Sequence, residues 1–397
     1  MDKYRQHPHR VLVAVPTIGK DGQSRLAGVF RWLGEGHYWD TRLIRARDDF
    51  TPEAVKEALL DGINGAIVAI PYRPDACSVL SKTTLPIVVM TTGLAVGLNA
   101  KRPRTGFSLV DNDAIGAAAA RHFLELGLFA SFAYVHDARI SNWSTERLAG
   151  FKRVLATKRQ QPLVFSDQTV KGDTIDLLPR DSLARFLNGL PRPAAVFAAN
   201  DTIAEQVAGI CELNGIRIPS QISVLGVDND ELLCAHARPK LSSIEPDFNA
   251  AGYSAAEMLD GMMRGRLRRS RTLRTGVLRV VTRESTAPLT PATRIVSDAI
   301  SFIRSRAFDG ISPRDVIAHL KVSRSLANLR FREIQGESIG DAITRIRLDE
   351  AERLLKETDW PLKRIAAECG YSNPDVFRNL FRSRRGKSMS AFRAQSD

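Results

Sequence analysis

Six side chains in the first 230 residues have the chemistry to read a polyol. Asp111, Asn200, Asp201 and Asp228 offer carboxylate or amide oxygens, Arg147 a planar fork of donors, and Trp143 an aromatic face. Vicinal hydroxyls both donate and accept. A site for them needs planar bidentate partners and a flat plate against the C–H surface. Taken singly, each residue also has an ordinary role. An Asp or Asn after a strand is a natural helix cap, and a lone Trp is usually packing. Asn200 and Asp201, just before the helical stretch 202–214, are the plainest capping candidates.

A second set lies near the C-terminus. Arg324, Ser325 and Asn328 fall at the start of one helical pattern, and Asp375, Arg378, Asn379 and Arg382 on another. Arg and Asn are the bidentate readers of guanine and adenine, and Asp accepts from cytosine. Arg384, Arg385 and Lys387 are expected to meet phosphates, adding affinity and salt dependence without sequence information. Leu326, Leu329 and Phe331, and Val376, Phe377, Leu380 and Phe381, are expected to form the apolar faces opposite. A solvated helix face is the ordinary alternative for any one arginine.

Charge supports a polyanion partner for that end. The 397-residue chain has a formal net charge of +13. Residues 290–397 carry 20 Lys/Arg against 14 Asp/Glu, and residues 264–283 carry eight arginines and no acid. The remainder is therefore close to neutral, and an excess confined to one region is the footprint of a polyanion-binding surface. The run Arg264–Arg271 itself reads as a solvated loop ahead of a strand over 275–282.

The elements that must position these residues follow from periodicity. Short apolar runs at 11–15, 66–70, 86–90, 131–136, 194–198 and 223–227 alternate with helical stretches such as 114–126, 145–158, 202–214 and 249–263. Continuous apolar strands covered by helices indicate parallel, doubly wound sheets. About eleven strands exceed one comfortable open sheet, so two α/β lobes are expected. The five polar candidates of the first set lie just beyond a strand or in the next helix, where open α/β sheets bind ligands. Beyond Pro288-Leu289-Thr290-Pro291 the pattern is helical throughout, with two helix-turn-helix units at 314–331 and 362–381. Ser323 and Asn373 are natural N-caps and Gly370 suits a left-handed helix end. The helix 339–357 would hold the two units about one DNA turn, roughly 34 Å, apart. The expected boundaries are 1–287 for the effector region, with lobe 1 about 1–125 and 246–275 and lobe 2 about 126–245 and 276–287. A linker at 288–291 and an all-α domain at 292–397 complete the chain.

Other classes lack their signatures. Four scattered cysteines form no C-x-x-C or Cys/His cluster, and no dinucleotide, nucleophile-elbow or zinc-protease motif is present. Gly386-Lys387-Ser388 ends like a phosphate-binding loop, but Phe381 stands where the upstream glycine is required. His7 and His9 are the one ligand-spaced histidine pair, in the N-terminal segment. No metal, cofactor or catalytic residue is expected. The apolar run behind the basic N-terminus is too short for a signal peptide, and no run approaches a membrane span. A cytoplasmic, non-enzymatic protein is the expectation.

The tail resembles the AraC/XylS-type DNA-binding domain. The matching residues are Ser323-Arg324-Ser325, Arg330-Phe331, Gly336, Ile346-Arg347, Ala351, Leu354-Leu355, Ile365-Ala366, Cys369-Gly370-Tyr371, Phe377, Phe381, Gly386 and Phe392-Arg393, with Met389 where that family usually has proline. The first 285 residues resemble the sugar-binding core of lactose-repressor-type regulators, itself similar to periplasmic sugar-binding proteins. The carriers are Asp111-Asn112, Arg147-Leu148-Ala149-Gly150, Asn200-Asp201, Ser223–Asp228 and Pro239–Phe248. A sugar-binding core followed by an AraC-type tail is the order found in xylose-responsive regulators. The loop Asp21-Gly22-Gln23 departs from that family's Tyr-Asp-Arg. The resemblance implies a homodimeric transcriptional regulator, an activator, that takes a monosaccharide between its lobes and binds operator DNA and RNA polymerase. A pentose is the first effector it suggests, with a hexose, sugar acid or nucleoside as alternatives. A small-molecule-binding protein or α/β enzyme with a basic interaction tail is the rival reading.

Overall fold

The computed structural model describes residues 8–69, 73–91, 98–99, 101–127, 129–137, 141–166, 178–267, 269–286 and 291–394. His7 and residues 288–290 of the expected linker lie outside them. Pro291 is no longer linker, because it opens a helix, where its missing N–H costs nothing.

The first lobe runs β1 (His9–Ala14), α1 (Lys20–Gly34), β2 (Trp39–Ile44), α2 (Pro52–Leu60), β3 (Gly65–Val68), α3 (Pro74–Ser81), β4 (Ile87–Val89) and β5 (Thr105–Val110). The chain then crosses to α4 (Asn112–Leu126), β6 (Ser131–Val135), α5 (Asn142–Ala156), β7 (Pro162–Phe165), α6 (Arg180–Gly189), β8 (Ala194–Ala198), α7 (Asp201–Leu213), β9 (Ile222–Val227), α8 (Glu231–His236) and β10 (Ser242–Pro246). It returns through α9 (Phe248–Met263) and β11 (Thr272–Thr275), and crosses again into β12 (Val277–Val281). The sheet orders are β11-β5-β4-β3-β1-β2 and β12-β10-β9-β8-β6-β7. These are one topology used twice. Every pairing is parallel except β12 against β10.

Two expectations change. The strand foreseen over 275–282 is two strands that part at Gly276 and join different sheets. The crossing foreseen near residue 125 comes earlier, at Asp111, because α4 packs on α5, β10 and β12 of the second lobe. The three crossings are tied together. The Asp111 N–H donates to the Thr275 carbonyl at 2.8 Å, and the Asp247 N–H to the Gly276 carbonyl at 3.0 Å.

Each lobe is built on a helix pair whose backbones touch. On Gly28 of α1 a Cβ would run into the Asn249 carbonyl, and on Gly252 of α9 into the Arg25 carbonyl. In the second lobe Gly150 of α5 meets the Asp113 carbonyl and Gly116 of α4 the Arg147 carbonyl. The contacts are reciprocal and equivalent. In both lobes the arginine whose carbonyl is used opens the sequence Arg-Leu-Ala-Gly, at 25–28 and at 147–150.

The tail holds α10 (Pro291–Arg306), α11 (Pro313–Leu320), α12 (Arg324–Gln335), α13 (Ile339–Glu357), α14 (Leu362–Glu368), α15 (Pro374–Arg385) and α16 (Met389–Arg393). Ser323 caps α12, Asn373 caps α15 and Gly370 is left-handed (φ 80°), as the sequence predicts. Phe331 and Ile334 anchor one apolar core, and Phe377 and Phe381 the other. Arg347, buried in α13, joins them. It donates to the Ala307 and Ile311 carbonyls at 2.7 and 2.9 Å and lies over the Tyr371 ring. A Cβ on Gly370 would stand 2.8 Å from the Phe308 carbonyl, so the turn of the second unit packs on the first.

The first tail unit also rests on lobe two. Gln221 donates to the Ile334 carbonyl at 2.8 Å, Arg217 to that of Glu333, Gln335 to that of Arg192, and Arg304 to that of Ala130. Ala130 itself is part of the first tail core.

The glycine contacts give a direct test. Gly150→Ala should lower unfolding free energy in urea by about 1–3 kcal/mol, since α4 and α5 must separate. Gly209→Ala, on α7 with open space around it, should leave stability unchanged or raise it by up to about 1 kcal/mol.

Candidate effector cleft and nucleic-acid interface

At the end of β9 the backbone turns through two left-handed residues that are not glycine, Asp228 (φ 108°) and Asn229 (φ 50°). Such positions are uncommon and persist only where the surroundings fix them. Asp201 does much of the fixing. Its Oδ1 accepts from the Ser243 hydroxyl at 2.6 Å and its Oδ2 from the Asp230 N–H at 2.8 Å. Burial pushes its carboxyl up to about 7, against the pull of those donors. The Asn229 N–H donates to Ser243 Oγ, and Arg283 donates to Asn229 Oδ1.

The turn presents Asp228 to the space between the lobes. Its side chain is 21% exposed, yet Oδ1 is covered and has no hydrogen-bond partner. Its nearest cation is Arg147, with Nη2 at 3.7 Å, beyond hydrogen-bond range. Burial holds the Asp228 carboxyl well above the usual range despite Arg147 and Arg25. Arg147 is 5% exposed, donates through Nε to Asn112 Oδ1 at 3.1 Å and through Nη1 to the Ala199 carbonyl, and sits over the Trp143 ring at 4.7 Å. Asp228, Arg147 and Trp143 are thus brought together on one side of the cleft.

The other three candidates are engaged by the protein itself. Asp111 caps α4, accepting from the Ala114 N–H at 3.0 Å, and Asn200 caps α7, accepting from Ile203 at 2.9 Å. Asp201 is 1% exposed, and both its oxygens are held by the protein. The opposite wall holds residues the sequence reading passed over. Arg25 of α1 is 8% exposed, lies over the Phe248 ring at 5.0 Å, and donates to the Met90 carbonyl at 2.6 Å. Its Nε and the neighbouring Asn249 Oδ1 are buried without partners. Burial lowers the Arg25 pKa, while the charges of Asp21 and Asp228 oppose the shift. The repeated Arg-Leu-Ala-Gly was the available signal for Arg25. With orphaned donors on one side and orphaned acceptors on both, the cleft suits a polyhydroxylated ligand.

The helix-turn-helix faces differ in detail from expectation. Ala327, Phe331 and Ile334 bury one side of α12, and Phe377 and Phe381 one side of α15. Leu326, Leu329 and Val376, expected in the core, are 37%, 59% and 55% exposed and lie on the outer face. The cores take every third or fourth residue, and these three fall outside that stripe. Arg324, Ser325, Asp375, Arg378, Asn379 and Arg382 are exposed there and Asn328 is also on the surface. Arg378 pairs with Asp375 in its own helix. Arg384 and Arg385, expected at phosphates, pair with α13, Arg384 through Asp341 and Arg385 through Asp349 and Glu352, and Arg384 stays exposed. Lys387 is exposed past the end of α15. In the arginine-rich run, Arg264 and Arg266 are drawn onto the buried Asp260, and Arg268 lies outside the described residues.

Residues 120–286 match the periplasmic binding protein-like domain family, and residues 316–395 the helix-turn-helix domain family. With the twin-sheet core and the double helix-turn-helix tail, these define a DNA-binding transcriptional regulator governed by a periplasmic-binding-protein-like effector core. Over nearly its whole length the chain is similar to the xylose operon regulatory proteins. It is 27% identical to that of Haemophilus influenzae over 364 residues, 89% of this chain and 90% of the relative. It is 26% identical to that of Escherichia coli K12, covering 92% and 85%. The solved structure of the xylose-binding transcription activator XylR aligns with a TM-score of 0.59 at 24% identity, covering 99% of both chains. A ribose-bound LacI family regulator of Enterococcus faecium aligns over 71% of this chain and all of its own, with a TM-score of 0.55 at 24% identity.

The two kinds of α15 arginine separate experimentally. Arg382→Ala should weaken specific DNA binding by about 1–3 kcal/mol, or reduce the salt slope by about 1 if it meets phosphate. Arg385→Ala should instead lower the tail's melting temperature, its main work being to hold α13.

Proposed function

We propose that this protein is a cytoplasmic transcriptional activator of a sugar-catabolic operon, controlled by a monosaccharide bound between its lobes. The observation that carries this reading is Asp228: a covered carboxylate oxygen without a hydrogen-bond partner, set between two buried arginines and near an aromatic face. A sugar hydroxyl donating to that oxygen would satisfy it, and the arginines would donate to neighbouring hydroxyl oxygens. The names and activities of the relatives support the operon role and make D-xylose the first effector to try. The chain acts as a homodimer that sets its paired tails on operator half-sites and meets RNA polymerase there. Each tail reads about two turns of major groove through α12 and α15.

Coupling follows from where the tail rests. Lobe two holds the end of α12 through Gln221, Arg217 and Arg192, so a change in lobe angle carries the DNA-reading helix with it. By linkage, a sugar that tightens operator binding is itself bound more tightly in the presence of operator, by the same factor.

Calorimetry on Asp228→Ala tests the site. Sugar affinity should fall by about 1–3 kcal/mol with the fold intact. Unchanged affinity would move the site elsewhere. The double variant Arg217→Ala/Gln221→Ala tests the coupling. Sugar should bind it as before, and the isolated tail should bind DNA as before, while sugar no longer changes the operator affinity of the full chain. Persistent coupling would put the route through the contacts left in place, Gln335 on the Arg192 carbonyl and Arg304 on that of Ala130, or through the connecting segment.

A further inference from the structure

The two walls of the cleft are equivalent in backbone and unequal in charge. Arg25 and Arg147 hold the same place in the repeated Arg-Leu-Ala-Gly, and each carbonyl abuts the glycine of the neighbouring helix. Strand register extends the equivalence. Val68, Val89 and Phe107 align across the first sheet; in the second, Phe197 pairs with Leu225, which brings the next residues Ala198 and Gly226 alongside, and Gly226 pairs with Ser243. Two residues beyond Gly226 stands Asp228, the carboxylate beside Arg147. Two residues beyond Val89 stands Thr91, which carries no charge.

Arg25 is therefore a buried cation without its counter-charge. Among the described residues no carboxylate lies within ion-pair distance of it. Its partners are a carbonyl and the Phe248 ring, and its Nε donor is unused. Asp21 and Asp228 act on it only at longer range. Keeping a guanidinium out of water in this way is costly unless something compensates, and guanidinium is the side chain best shaped to take a carboxylate.

On the reading that the cleft holds a monosaccharide, we propose that its effector is an acidic sugar, an aldonate or uronate, whose carboxylate docks on Arg25 while its hydroxyls are read by Asp228, Arg147 and Asn249. One negative charge fits the one unpaired cation. A phosphate would bring a second charge toward Asp228 and Asp21, where it is repelled.

Titration calorimetry on the full chain with matched pairs, D-glucuronate against D-glucose and D-xylonate against D-xylose, tests this. The acid of at least one pair should bind at least tenfold more tightly than its neutral partner, and added salt should weaken the acid more. In Arg25→Met the acid-to-neutral ratio should collapse toward one, while Arg25→Lys should keep it above one. If the methionine variant does not fold, judged by circular dichroism, the wild-type ratios and the lysine variant decide. Neutral sugars bound as tightly as their acids would overturn this inference and leave the regulator reading standing. An acid preference that survives in Arg25→Met would equally overturn it. If no member of either pair binds, the monosaccharide reading falls and takes this one with it.

Discussion

The effector core depends on helix backbones that touch. At Gly28 with Gly252, and at Gly116 with Gly150, a carbonyl of one helix occupies the space a Cβ would fill on the other. Interiors are packed too tightly to absorb such a change without moving whole elements. The contact fixes where α1 and α5 lie, and with them the two arginines one turn before the glycines. Each cation is thus placed by main chain. Because α9 and α4 are the partners, and each begins at a crossing between the lobes, the cation is set at the mouth of the cleft.

The carboxylates at the end of β9 and the start of α7 differ in what satisfies them. Asp201 has donors on both oxygens and is held out of water, so it acts as a strut for the turn at 228–230. That support keeps Asp228 in a left-handed conformation with one oxygen unspent. An unsatisfied buried oxygen costs more than a hydrogen bond ordinarily returns. Asp228 Oδ1 accepts no hydrogen bond, and Arg25 across the cleft leaves its Nε unused.

In the tail one buried arginine makes two repeats act as one domain. Arg347 spends its donors on the carbonyls of the first unit and lies on Tyr371 of the second. Ion pairs from α15 to α13 complete the junction. The outer faces of α12 and α15 are left with arginine and asparagine beside exposed leucine and valine. Such a mixture matches a major groove, where base edges offer hydrogen bonds and thymine offers a methyl group. Lobe two holds the end of α12 through side-chain hydrogen bonds to the Ile334 and Glu333 carbonyls and from Gln335.

Much of this was written in local sequence. Apolar runs marked the strands, helical spacing the tail, and Ser323, Asn373 and Gly370 the helix ends, because these depend on residues only a few positions apart. Asp228, Arg147 and Trp143 stand just past a strand or in the helix that follows one, and the fold brings them together. The remaining features depended on distant partners. Asp111 and Asn200 each commit one oxygen to a helix cap, leaving the second polar atom of the side chain outside that bond. Asp201 became a strut only when Ser243 of another strand reached it. Arg384 and Arg385, read from the sequence as free cations, are found paired with Asp341, Asp349 and Glu352, a helix away. The strand over 275–282 split because its halves pair with different sheets. Arg25 was visible as half of a repeated tetrapeptide, but its want of a counter-charge exists only in three dimensions. Local sequence sets which conformations and faces a segment prefers. Which charges meet, and which are left unmet, is decided only when segments far apart in the chain are packed together.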